Sequence, residues 1–485
     1  MKYSIEKIIK ACNGKYLGDN SLLNREVTAF VTDSRLAGEA CAYVALVGER
    51  VDGHRFIKDT FSKGAYLSIG EQDYEPCEGE AYIKTASSLE ALGSIASAYM
   101  NERNLPVVGV TGSVGKTGTK EMIASVLSTS MNVAKTKGNH NNEIGLPLTC
   151  LETPDDAQVS VLEMGISAPG EMDYLINIIQ PKVAVVTNIG VSHMEILGSK
   201  EGIYKEKIKI AGGLPDDGLL VINGDDEFLS AVKNEDIATH APVKRFGFDR
   251  KNDIYADDVR TNGLESTSFK IFGLQCAPDG IDVSLKLPGR HLILNALAAA
   301  AVGDHFGLTA GEIVKGIESA GTIKGRMNVI KAHGITVIDD AYNASPVSMK
   351  AAIEALSQAG GRKICVLGDM FELGDESDKM HYEVGRFAAE KGVCVLFVCG
   401  EQSVEIAKGA LGVNPDADIE GCAQEEHIEV MMSDPQCPVV PEFYIFKEND
   451  RMIKKIKEVV RPGDTVLVKA SNSMRFSEVV EGLSK

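Results

Sequence analysis

Residues 109–117 read Gly-Val-Thr-Gly-Ser-Val-Gly-Lys-Thr, a glycine-bearing turn between an apolar run, 107–111, and a helix-like run, 116–128. Such a turn aims backbone N–H groups and the positive end of a helix at an anion. Lys116 adds a charge able to reach outer phosphates, and the Thr117 hydroxyl suits a magnesium ion bridging them. The turn residues that would cradle a nucleotide are therefore Gly112, Ser113, Val114, Gly115, Lys116, Thr117 and Gly118. The strict pattern G-x-x-x-x-G-K-[ST] is not met, because Val110 stands five places before Gly115. A purely structural turn is the competing reading; a strand before and a helix after favour phosphate binding.

Further polar groups recur at the ends of apolar runs. The run 159–163 ends in Glu163, and 183–190 leads into "SHME" with His193 and Glu195. Thr117 and Glu163 are candidate magnesium ligands, and because strand ends in a parallel sheet converge on one crevice, His193 is a candidate residue of the same site. The stretch "GNHNNEIGLPLT" (138–149) groups asparagines around a histidine. Amides both donate and accept, so Asn139 and Asn142 suit a phosphate edge or a peptide backbone. Asn295 interrupts an alanine-rich helical run, where asparagine is a poor helix former. It could read an adenine edge, or make a helix–loop hydrogen bond. Arg326 in "KGRMN" could reach a phosphate, and Asp340, after a strand, could accept from ribose hydroxyls. The run "YKEKIKI" (204–210) reads as a charged helix face, since an ammonium group cannot ligate a metal.

The elements that must position these groups are legible as a pattern. The chain has 485 residues, enough for two to four domains. Apolar runs at 107–111, 159–165, 183–190 and 218–224 alternate with helix-length segments, as in a parallel sheet covered on both faces. A strand-like alternation follows at 266–289, then an alanine-rich helix at 292–302. A second series, 335–339, 363–369, 393–400 and 464–471, includes the helical pattern 346–358. The first hundred residues form a small α/β module closed by "NERNLP" (101–106). The expected class is α/β in three domains: 1–104, a central P-loop ATPase-like parallel-sheet domain at 105–320, and a Rossmann-like domain at 321–485.

Net charge of −19 argues against general attraction to nucleic acid or anionic membrane. No run approaches the 18 apolar residues of a membrane span, and the start lacks the core of a signal peptide. Ten cysteines without a C-x-x-C pair are expected to be buried free thiols in a reducing cytoplasm.

The ordered set "GVTGSVGKT", "GNHNNEIGLPLT", "EMG", "SHME", "GRHLILNALAA", "KGRMN", "DDAYNASPVSM", "LGDMFELG" and "VLVKASNSMRF" resembles the Mur ligases, ATP-dependent amide-forming enzymes of peptidoglycan precursor synthesis. With "TDSRLAGEACAYVALVGERVDGHRFI" (32–57), the resemblance covers nearly the whole chain. "GNHNNEIGLP", "DDAYNASP" and "LGDMFELG" fit the branch that joins D-alanyl-D-alanine to a UDP-linked tripeptide. The resemblance implies ATP and magnesium, with Lys116 and Thr117 on phosphates and metal, and Glu163 and His193 as metal ligands. It implies that Lys207 is carbamylated into an oxygen-bearing anion, with Lys205 the competing lysine. It places Asn295 at adenine, Arg326 at the nucleotide, Asp340 at ribose, and Ser34 and Arg35 at the UDP end of the substrate. Leu292 stands where relatives often have a polar residue, and Ala470 replaces a common glycine. The expected partners are small molecules, with a monomer in the cytoplasm and no nucleic acid or membrane span. Rival readings are another amide ligase of the superfamily, such as a folylpolyglutamate synthase, and a P-loop switch that uses ATP for conformational change only.

Overall fold

Apolar β-branched runs form the strands, and the polar stretches between them form the connections. The computed structural model describes residues 2–233, 237–286, 289–413 and 442–485. Three main sheets follow one another along the chain. The first has five strands in the order Lys15–Gly18, Ala81–Lys84, Leu67–Gly70, Cys41–Val44, Ala29–Val31, parallel except at the first pair. A short antiparallel pair, Tyr3–Ser4 with Glu26–Val27, lies beside it.

The second sheet has nine strands. Val107–Thr111 lies inside it, flanked by Val159–Glu163 on one side and Val183–Val186 on the other. Val133–Lys135 closes one edge, while Leu219–Asn223, Val243–Gly247 and Ile254–Asn262 continue in parallel on the other. The alternating stretch becomes two antiparallel strands, Ser266–Phe272 and Ile281–Leu285, each with alternate residues buried. Chain order reverses direction across Val107–Thr111, which puts a crevice at the carboxyl end of that strand.

The third sheet runs Asn328–Ala332, Ile335–Asp339, Thr465–Lys469, Lys363–Gly368, Val395–Cys399, Glu442–Phe446, parallel after its first, antiparallel pair.

Packing ties the first two sheets together. Helix Ser88–Arg103 starts on a Ser87 cap and ends at Asn104, whose φ is +48°. It buries Leu92, Ile95 and Tyr99 in one cluster with Leu146, Leu162 and Leu175 of the second sheet's layer. The polar run 101–106 thus begins within the last turn of a helix embedded in a continuous core. On the opposite face, helix Arg290–His305 buries Ala298, Ala299, Ala300 and Ala301 completely, and these small side chains let it lie close to helix Lys116–Leu127. Two further clusters cover the two faces of the third sheet.

Of the eight described cysteines, Cys41, Cys150, Cys365 and Cys399 are buried, Cys12 and Cys394 are half-buried, and Cys77 and Cys276 are exposed. The expectation of buried thiols therefore fails for the exposed pair, which sit in connections rather than in core strands. Among the described residues no helix is long and apolar enough to cross a membrane.

Candidate active site

The loop after Val107–Thr111 requires its glycines. Gly112 has φ +140°, and a Cβ there would lie 2.0 Å from Thr187 Oγ1. Gly115 has φ +86° and opens helix Lys116–Leu127 without a side-chain cap. A left-handed backbone at both places is what glycine permits. Thr187 and Asn188 brace the loop from the neighbouring strand end. Asn188 Oδ1 accepts from the Val114 N–H (3.0 Å), while Thr187 Oγ1 and Asn188 Nδ2 donate to the Val114 carbonyl. Ser113 Oγ accepts from the Gly190 N–H at 2.8 Å. The loop is thereby held open, with first-turn amides directed at the cleft and lacking helical partners. Neither Thr187 nor Asn188 stood out in the sequence, where both are ordinary loop residues after a strand.

Lys116 folds back over the loop, with Nζ donating to the Gly112 carbonyl at 2.8 Å. Burial pushes its pKa down, Glu163 pulls it up, and Arg326 pushes it down again. Glu163, 3% exposed, has one partner on each oxygen: Oε2 accepts from Thr117 Oγ1 (2.9 Å) and Oε1 from Asn141 Nδ2 (2.8 Å). Its own N–H donates to Thr136 Oγ1. Asn141, rather than its neighbours, is thus the asparagine of 138–149 that meets the carboxylate. Asn139 and Asn142 line the cleft, and Asn142 Oδ1 accepts from the Gly145 N–H at the start of the helix Gly145–Leu151.

The cleft is about 570 Å³ and lies between the second and third sheets. The loop 113–118, Glu163, His193 and Asn295 line one side; Arg326, Asp340, Tyr342 and Lys469 line the other. A glycine-loop lysine and threonine, an adjoining carboxylate and opposing cations are a set whose chemistry suits a polyphosphate.

Comparison with known proteins agrees. The family model for the Mur ligase middle domain matches residues 110–303, and that for the Mur ligase, glutamate ligase domain matches 325–472. The chain is 37% identical over 456 residues to UDP-N-acetylmuramoyl-tripeptide–D-alanyl-D-alanine ligase of Bacillus subtilis, covering 93% of this chain and 92% of that protein. The chain belongs to the Mur ligase family. The Escherichia coli ligase of the same name is 32% identical, covering 99% of this chain and 98% of its own. Among solved structures, MurF of Acinetobacter baumannii superposes with a TM-score of 0.86 at 29% identity, covering 100% and 99% of the two chains. MurF of Thermotoga maritima in complex with ADP gives 0.80 at 29% identity, covering 94% and 97%. A folylpolyglutamate synthase of Mycobacterium tuberculosis, 17% identical with a TM-score of 0.59, shares the fold alone.

In this Mur ligase the two candidate lysines part company. Lys205 is exposed and pairs with Glu201 at 2.7 Å. Lys207 is fully buried, and its Nζ has no hydrogen-bond partner. Burial first, then the Lys116 charge, drive its pKa well below the ordinary range. The adjacent Glu206 cannot serve it fully, since it accepts from the Gly170 and Met172 N–H groups and from Lys209.

The remaining expected residues are distributed unequally. His193, at φ +61°, opens a short helix, and its Nδ1 stands 2.8 Å from Glu372 of the third sheet's layer. Asn295 lines the cleft, but its Oδ1 accepts from Thr119 Oγ1 (2.9 Å), a bond to a second helix rather than the helix–loop bond that was the alternative reading. Arg326 stacks its guanidinium over the Tyr342 ring at 4.3 Å. Asp340 is buried, with Oδ2 2.5 Å from Lys469 Nζ and Oδ1 accepting from the Met327 N–H. Asp339 accepts in the same way from Gly325 N–H, so the two aspartates clamp the connection 325–327. Ser34 and Arg35 lie in a 3-10 turn of the first sheet's layer and do not line the cleft; Arg35 is exposed and forks onto Asp33. Leu292 lines the cleft, as does His291, whose pKa burial holds below its usual value. Ala470 is fully buried, and a Cβ at Gly368 would approach its Cβ to 2.7 Å.

Among the described residues no group of three or more His, Cys, Asp and Glu side chains could hold a metal ion. The oxygen pair Thr117–Glu163 does fit a magnesium ion that takes its other ligands from phosphate and water. Lys207 as an amine does not fit one.

Proposed function

We propose that this Mur ligase joins D-alanyl-D-alanine to UDP-N-acetylmuramoyl-tripeptide at the expense of ATP, in peptidoglycan precursor synthesis. Full-length identity to relatives of that name carries the reading. The three sheet layers divide the labour as domains 1–104, 105–320 and 321–485. The first holds the UDP end of the precursor through Ser34 and Arg35, the second holds ATP, and the third closes over it with Arg326 and Asp340. Asn139 and Asn142 face the substrate, and Asn295 meets the adenine with the amide hydrogens that Thr119 leaves free. The enzyme works on small molecules as a cytoplasmic monomer.

The terminal carboxylate of the tripeptide attacks the γ-phosphorus of ATP, forming an acyl phosphate and releasing ADP. The neutral amine of D-alanyl-D-alanine attacks the acyl carbon; phosphate leaves, and the nitrogen loses one proton to yield the amide. Lys116 leaves the loop carbonyls to meet the phosphates, and the first-turn amides of the helix take up negative charge. A magnesium ion, when bound, would supply charge neutralisation; Thr117 and Glu163 would hold it, with His193 and a carbamylated Lys207 as the further residues assigned to it. Lys207 reaches that state because a neutral buried amine adds carbon dioxide and releases one proton. Burial keeps water from the acyl phosphate.

Phosphate release in a coupled assay is expected only when ATP, the UDP-tripeptide and D-alanyl-D-alanine are all present. Running lysine- and diaminopimelate-containing precursors in parallel identifies the third residue accepted. Equal release without the dipeptide would replace the ligase reading by the P-loop switch.

A further inference from the structure

The cleft is rich in cations, yet the second substrate enters as one. An α-amine titrates near pH 8, so it arrives largely as ammonium and requires an anionic partner. The carboxylates lining the cleft are already engaged. Glu121 holds Lys120 and Lys135. Glu163 accepts from Thr117 and Asn141, and Asp340 from Lys469 and Met327.

Glu372 differs. Its side chain is 57% exposed, it contacts the cleft-lining His193 through Nδ1 at 2.8 Å, and among the described residues no lysine or arginine pairs with it. The loop that carries it is held from behind: Met370 N–H donates to the buried His381 Nε2, and Phe371 N–H to Ser471 Oγ. Glu372 itself has φ +65°, a left-handed conformation that a branchless but bulky side chain adopts at a cost. His193, facing it from the second sheet, has φ +61°. Both backbones are thus bent so that a half-exposed carboxylate, bound through one oxygen to His193, meets a proposed metal-site residue at the seam between the two layers. Large apolar side chains stand exposed nearby: Phe371 beside Glu372, Ile196 one turn from His193, and Val347 on the cleft wall. Such a rim suits the methyl groups of a small dipeptide.

We infer that Glu372 recognises the incoming D-alanyl-D-alanine by its ammonium group at the His193 side of the cleft; that group gives up one proton to solvent, and the neutral amine so formed is positioned to attack the acyl carbon. The inference rests on the ligase reading above. Loss of one charge-assisted contact of this kind weakens binding by about 10- to 100-fold.

The test compares wild type with Glu372→Gln, Glu372→Asp and, as a control on a surface pair, Glu376→Gln. Steady-state kinetics are run for each substrate, and D-alanyl-D-alanine is titrated calorimetrically into enzyme loaded with UDP-tripeptide and a non-hydrolysable ATP analogue. Glu372→Gln is expected to raise KM and Kd for the dipeptide about tenfold or more, with KM for ATP and precursor changed less than about twofold. Glu372→Asp should recover part of the loss and Glu376→Gln should show none. An analogue with hydroxyl in place of the amine should bind wild type and Glu372→Gln equally. Unchanged dipeptide affinity in Glu372→Gln, or equal losses for all three substrates, would overturn the inference in favour of a contact that only joins the layers. Wild-type enzyme that releases phosphate without the dipeptide would overturn the ligase reading, and this inference with it.

Discussion

Lys207 shows how much a single residue's surroundings determine. An ammonium group stripped of water and given no partner is costly, so the site favours the neutral amine. A neutral amine is the form that adds carbon dioxide. Enzyme equilibrated with ¹³C-labelled bicarbonate is expected to show one carbamate carbon resonance, lost in Lys207→Ala and kept in Lys205→Ala. Activity should fall with Lys207→Ala by about a hundredfold or more, the scale of losing one preorganised charge-stabilising group. Full activity in that variant would remove the carbamate from the mechanism. In the sequence the two lysines are indistinguishable, since both belong to one charged run. Two positions along a helix differ by about 200°, so one faces water and the other the interior. Which one does so depends on how the helix Lys200–Ile208 is rolled against the sheet.

At the scale of elements, the loop helix Lys116–Leu127 is held by close helix packing. Helix Ala310–Glu318 approaches it so nearly that a Cβ at Gly316 would lie 2.4 Å from Val126 Cα. Alanine is the better helix former by about 1 kcal/mol. Forcing apart a backbone contact costs about 1–3 kcal/mol, and here the obstructing atom cannot rotate away. The clash wins, so Gly316→Ala is expected to lower the urea midpoint at unchanged m-value. A midpoint at or above wild type would mean the helix pair yields easily. The long apolar strands were legible because burial on both faces leaves an uninterrupted apolar run. Val133–Lys135 and Val243–Gly247 were not: the first is a three-residue edge strand, and the second, though inside the sheet, carries Lys244 and Arg245 and is only half-buried over its first three residues.

At the scale of the molecule, the cleft takes one wall from the second sheet's layer and the other from the third, joined by the connection after residue 320. Gly325 at φ +76° and Met327 at φ +51° mark its turn, and Asp339 and Asp340 grip it. A site that must exclude water and admit three substrates has to open and close. X-ray scattering is expected to show a smaller radius of gyration on adding ATP analogue and UDP-tripeptide together. Superimposable profiles would argue against a hinge near 320–325.

The sequence by itself determined the α/β class, the phosphate loop and the ordered motifs of a Mur ligase. These are local: a glycine at a positive φ, a strand before a helix, a carboxylate at a strand end. The tertiary structure alone decided which asparagine meets Glu163, which lysine is buried, that Asn295 and Asp340 are partly spent on internal hydrogen bonds, and that Glu372 faces His193. Those pairings join residues 22 to 179 positions apart. Only the packing of whole layers, not local pattern, brings such residues within hydrogen-bond reach.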